Sequence, residues 1–137
     1  MRRQPRITIT GLALIACVGG AAGCSKSELA PVGGQVLYND RPLAAGVIMF
    51  QPPNGPPFRS DIVNGAFTMT SLDGEKGARV GLNKVRVASR ETPAGGDAEI
   101  ALGRSLIPER YEHFESSELA ADVKPAGNEP FVFKLHD

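Results

Sequence analysis

Tryptophan is absent from the 137 residues, and cysteine and histidine occur twice each. Such a chain is poorly supplied for thiol or imidazole chemistry. It holds no Gly-x-Ser-x-Gly nucleophile elbow, no nucleophilic cysteine beside a base and no helical zinc motif. Asp61, Asp73, Glu75 and Asp97 are scattered without the regular spacing of a calcium loop, so they read as solvated carboxylates. No catalytic residue, metal site or cofactor is therefore assigned. Long helical periodicity and internal repeats are missing too, which excludes a bundle or a solenoid. No acidic residue precedes Glu28, and no basic stripe follows it. Nucleic-acid binding, which needs phosphate neutralisation, is excluded on that ground. The apolar run counted from Ile7 to Ala22 has 16 residues, short of the roughly 20 that cross a bilayer as a helix.

What is present divides into an address and a body. Arg2, Arg3 and Arg6 precede the uncharged run, the n-region and h-region pattern of a secretory signal. Ala21-Ala22-Gly23 then supply small residues directly before Cys24. This junction resembles a bacterial lipoprotein lipobox, with Ala21 where leucine is usual. The resemblance implies diacylglycerol transfer to the Cys24 thiol and acylation of the amine freed by cleavage. Two or more acyl chains, at ~0.8 kcal/mol per buried CH₂, hold a protein on a membrane where one is marginal. Cys17 lies inside the leader, so Cys24 is left without a disulfide partner, a liability in an oxidising compartment unless it is modified. Residues 1–23 are read as the lipoprotein signal, 24–30 as a polar tether and 31–137 as one domain. Without its three arginines, the chain's 15 basic residues fall to 12 against 15 acidic ones, a net charge of −3. Ser25 after the cysteine favours the outer membrane or periplasmic face of a cell envelope, with the membrane reached through the lipid on Cys24.

The body is rich in turn formers, with 16 Gly and 11 Pro. Short strands joined by Gly/Pro turns indicate an all-β domain. Val32, Gly34, Val36 and Tyr38 alternate, Asn39-Asp40 turns the chain, and Val47 to Phe50 forms an apolar run expected to be buried on both faces. The stretch Val32 to Gln51 is thus read as an opening hairpin, with Pro42 at a strand start or edge. Asn64-Gly65 joins Phe58–Val63 to Ala66–Thr70, a strong hairpin signal. Leu82–Ala88 places Val85 and Val87 inward, with Lys84 and Arg86 outward. Ala98–Leu106 is expected to make a turn or two of helix, ended by Pro108. Leu119, Ala121 and Val123, then Phe131, Phe133 and Leu135, form the inward faces of the last two strands. Seven strands are expected in a single antiparallel sandwich.

Gly34-Gln35-Val36, Asn39 to Leu43, Gly46 to Phe50, Asn64 to Phe67, Gly77 to Val87, Ile107 to Tyr111 and Leu119 to Leu135 together resemble a group of bacterial, planctomycete-type lipoproteins. Their domain is a carboxypeptidase-regulatory-like or transthyretin-like (prealbumin-like) β-sandwich. The resemblance covers nearly all of the body and implies fold and location, with no functional residue to carry over. Transthyretin-like folds include hydroxyisourate hydrolases, which use paired histidines, an arginine and a Tyr-Arg-Gly-Ser-like terminus. This chain ends Phe133-Lys134-Leu135-His136-Asp137 and has only His113 and His136.

Sandwiches recognise ligands through clustered loops. The candidate surface is the long segment Glu91 to Ser116, where Arg104, Arg110, Tyr111 and His113 suit an envelope protein or polysaccharide. The competing expectation is that Tyr111 and Phe114 pin the loop to the body. A structural or binding module is expected; a hydrolase, or carbohydrate or protein recognition through residues 91–116, is the alternative.

Overall fold

A computed structural model describes residues 28–70, 74, 76–92 and 103–137. The leader, Cys24, Asp73, Glu75, Asp97 and the central part of the long loop lie outside the described residues. Among the described residues ten strands occur: β1 (Leu29–Ala30), β2 (Gly33–Tyr38), β3 (Arg41–Pro42), β4 (Ala45–Gln51), β5 (Phe58–Val63), β6 (Ala66–Thr68), β7 (Ala78–Arg79), β8 (Gly81–Ala88), β9 (Leu119–Val123) and β10 (Phe131–Leu135). A 3-10 turn, Glu109–Glu112, precedes β9. The protein is all-β.

β1 pairs with β7 in a small ribbon. The tether expected over residues 24–30 thus ends earlier: Leu29–Ala30 is paired strand, and Ala30 is buried. The main sheet runs β10-β2-β6-β5-β4-β8-β9, with β3 appended to β2. Six inter-strand spacings of about 4.8 Å separate β10 from β9 in a flat sheet, about 29 Å. The chain covers that distance with residues 124–130 alone, near the limit of a fully extended segment. The sheet therefore curls. Phe50 of β4 lies 6.0 Å from Phe133 and 6.2 Å from Phe131 of β10, although four strand steps separate the two. Phe67 joins them at 6.2 Å from Phe50, and all three rings meet Phe50 edge-on or tilted, as the aromatic quadrupole favours.

Alternation decides which face enters this core. Phe58, Ser60 and Ile62 of β5 are buried, as are Asn83, Val85 and Val87 of β8 and Ala121 and Val123 of β9. The run Val47–Phe50 behaves in the same way and corrects the expectation of burial on both faces. Ile48 and Phe50 are buried, whereas Val47 and Met49 face outward and are half-covered. They line a hollow on that face together with Arg59, Arg86 and Ala88, and Arg86 Nη2 lies 2.9 Å from the Met49 sulfur.

Two further expectations change. The sheet is not wholly antiparallel, since β10 joins β2 in parallel from Phe131↔Gly34 to Leu135↔Tyr38. The curl brings the last strand back to the first in the same direction. The hairpin read over Val32–Gln51 closes for two residues only, Leu37↔Pro42 and Tyr38↔Arg41. Asn39 and Asp40 take positive φ, +48° and +61°, as a two-residue turn of that kind requires. Beyond Pro42 the place beside β2 is taken by the Asn64-Gly65 turn. Val36 N–H donates to Gly65 O (2.7 Å), and Gly65 N–H donates to Leu43 O (2.7 Å). Gly65 has φ +81°, and a Cβ there would lie 2.8 Å from Pro42 Cβ, so both backbone and space demand glycine. β4 then crosses away to pair with β5 and β8.

Candidate functional site

The candidate loop is held from both ends of its described part. Past β8 the chain stays extended, and Arg90 pairs with Ser105. Glu91 N–H donates to Arg104 O (2.9 Å) and Leu106 N–H to Ser89 O (2.8 Å). Of the helix expected over Ala98–Leu106, residues 98–102 lie outside the described residues, and residues 103–106 are not helical. Partners across the chain satisfy the backbone groups that a helix would have paired locally. Pro108 (φ −55°) opens the 3-10 turn and does not end a helix, since a fixed φ and a missing N–H cost nothing at that position.

The turn projects its side chains into the body. Glu112 is buried, receives an ion pair from Arg90 Nη2, and lies 2.7 Å from the Ser105 hydroxyl, which donates to it. Arg86 Nη1 donates to the Glu112 carbonyl (2.9 Å), and its guanidinium lies 5.3 Å from the centre of the Phe114 ring. The Ser117 hydroxyl donates to Val85 O. Tyr111 is buried, and its hydroxyl accepts from His136 N–H (3.1 Å) while facing His136 O at 3.3 Å. Arg110 donates to the same carbonyl and stacks 4.7 Å from the Tyr111 ring centre.

Of the four residues singled out in the sequence, Arg110 and Tyr111 come together, and both are committed to the end of β10. Arg104 and His113 are exposed and make no side-chain hydrogen bond to a described residue. Beside the Arg110–His136 contact, Asp137 accepts from the Tyr38 hydroxyl and from Asn39 Nδ2 (2.8 Å). The Tyr38 bond, then the Asn39 bond, holds the Asp137 carboxyl below its ordinary range, while Asp137 raises the Tyr38 phenol above 10.0.

Several hollows lie elsewhere on the body, one of about 460 Å³ beside Pro52, Leu82 and Phe114. An open groove of about 690 Å³ follows β2 and β6, walled by Val32, Phe67, Met69, Val132 and glycine backbone, with Lys76 at its rim. A smaller one of about 300 Å³ sits on the outer face of β5, β4 and β8, lined by Val47, Met49, Arg59, Arg86 and Ala88. Sequence alternation marked Arg86 as outward but gave no sign that Arg59 stands opposite it, because strand pairing alone brings them together. No protein-family model, characterised protein or solved structure matches the chain.

Proposed function

We propose that this chain is a lipid-anchored module of a bacterial cell envelope, held through Cys24 and acting in a structural or binding role without catalysis. Its body is read as a sandwich of the transthyretin-like or carboxypeptidase-regulatory-like kind. The observation that carries the reading is the junction Ala21-Ala22-Gly23-Cys24, placed at the end of an apolar run before which the only charged residues are arginines. The thiol left after cleavage has no disulfide partner, and acylation is the modification that small-small-Cys serves. The all-β body and its curl around Phe50 support the sandwich.

Anchoring at Cys24 also sets a distance. The chain enters paired structure at Leu29, so the linker spans at most about 18 Å fully extended, at up to ~3.6 Å per residue. The body then works at the membrane surface, not at the end of a long stalk. Arg110 and Tyr111 support the structural half of the reading, since their side chains tie the loop to β10.

The test is expression in a bacterial host with lipoprotein processing, comparing the wild type with Cys24→Ser. The wild type should take up labelled palmitate, fractionate with membranes and carry the mass of its acyl groups. The variant should lose the label and accumulate unprocessed. Equal membrane association with unchanged processing in Cys24→Ser would overturn the anchor.

A further inference from the structure

We propose that the hollow on the outer face of β5, β4 and β8 binds a small organic monocarboxylate with an apolar body, its charge gripped by Arg59 and Arg86. The strand register builds the site. Met49 of β4 is the direct partner of Arg59 on one side and of Arg86 on the other. The two arginines thus flank one methionine on a single face, with backbones about 10 Å apart across two strand spacings. One residue pair along the strands, Val47 stands opposite Ala88, and small Ala88 leaves the space that the larger side chains enclose. The floor is apolar and the rim is cationic.

Arg86 is the second observation. It is half-buried, and no carboxylate among the described residues lies within ion-pair distance of it. Its Nη1 is used by the Glu112 carbonyl and the Phe114 ring lies 5.3 Å from the guanidinium, but among the described residues the one hydrogen-bond acceptor of Nη2 is the Met49 thioether sulfur (2.9 Å), a weak one. Its Nε is buried without a partner. A guanidinium so poorly supplied with acceptors gains most from an anion that reaches it. Arg59 is the accessible half of the grip. Its side chain is 57% exposed, and its one carboxylate neighbour among the described residues, Asp61 two residues on, lies at 3.5 Å, a surface pair of little strength that a ligand can replace.

The charges select the class. Among the described residues, Arg59 and Arg86 offset by Asp61 leave one positive charge at the rim, which matches a monoanion. A carboxylate accepts two parallel bonds from a guanidinium, and an apolar body covers Val47, Met49 and Ala88. Inorganic phosphate would use the rim and leave the floor wet. At about 300 Å³ the hollow is at the small end of ligand sites. The assignment goes beyond the anchor and is independent of it, since an unlipidated protein keeps this face.

The experiment uses the full chain with ¹³C-labelled methionine methyl groups. Met49 lies in the hollow, while Met69 is fully buried in the core and reports the integrity of the fold. Benzoate is titrated beside benzamide, which has the same body without the charge, and beside inorganic phosphate. Benzoate should shift the Met49 methyl saturably and leave Met69 in place, with much weaker responses to the other two. Arg59→Gln should weaken benzoate binding by roughly fivefold to tenfold, the loss of one exposed charge-assisted contact. Ala88→Leu should abolish it by filling the floor, with the Met69 signal unchanged in both variants. The proposal is overturned if benzoate produces no saturable shift, if benzamide binds equally well, or if Arg59→Gln binds as the wild type does. A phosphate response equal to benzoate's also overturns it, as it would show a bare anionic contact without the apolar floor.

Discussion

At the scale of the residue, the polar side chains of this protein divide by how much water they keep. Glu112 shares a buried place with Arg90 and Ser105, whereas Lys124 and Asp122 form an exposed pair of small consequence. Tyr38 and Asp137 sit at the surface, yet each shifts the other, because the phenol donates to the carboxylate. The Asp137 carboxyl titrates below its ordinary 3.8, so what the bond adds to stability is present above that pH and is lost as pH falls through the lowered value. The Tyr38 phenol titrates above 10.0, so its share is present below that pH and is lost as pH rises through the raised value. Asp137→Asn should bring the Tyr38 phenol back toward 10.0, read by the pH dependence of tyrosinate absorbance. A Tyr38 titration unmoved by the substitution would show that the bond does not form in solution.

The 3-10 turn Glu109–Glu112 illustrates what an element can do when it has almost no strength of its own. Four residues cannot persist as a free helix; this one stands because each of its last three residues is tied elsewhere. Arg110 and Tyr111 reach the end of β10, and Glu112 reaches Arg90 and Arg86 at β8. The turn thereby fastens β10 to the β8–β9 side of the molecule. Tyr111→Phe should cost about 0.5–1.5 kcal/mol, the net worth of its hydroxyl bonds. Tyr111→Ala should cost about 3–5 kcal/mol for the buried ring, both read from urea unfolding. A Tyr111→Ala protein as stable as the wild type would return the loop to the role of a free recognition surface.

For the whole molecule the decisive feature is the return of β10 to β2. Without it the sheet would have a different edge, and Phe131 and Phe133 would lose Phe50. Gly34 permits the approach, since a Cβ there would overlap the Phe131 carbonyl. Gly34→Ala should destabilise the protein by about 1–3 kcal/mol through overpacking, measured as the shift of the thermal midpoint. It should also loosen the amides of residues 131–135 in hydrogen exchange before those of β4 and β8. Uniform loss of protection would show that β10 and the rest of the sheet form a single cooperative unit.

Local rules were enough for much of this. Alternation named the inward residues of β8, β9 and β10, because a strand's side chains change face at every step whatever its neighbours are. Asn39-Asp40 and Asn64-Gly65 announced their turns, because positive φ is a property of the residue itself. Pairing partners are not local. Nothing in Val32–Gln51 says that β4 leaves β2 for β5 and β8, or that the Asn64-Gly65 turn takes its place. The same holds for the sites: Arg110 and Tyr111 stood out by type, but whether they faced solvent or the end of β10 depended on a strand some 25 residues away. Arg59 and Arg86 lie far apart in the chain and meet across Met49 through register alone. The sequence by itself determined the β character, the turns and the inward faces, each set by a few adjacent residues; the tertiary structure decided the curl, the parallel closure and the paired arginines, because those depend on which distant strands share hydrogen bonds.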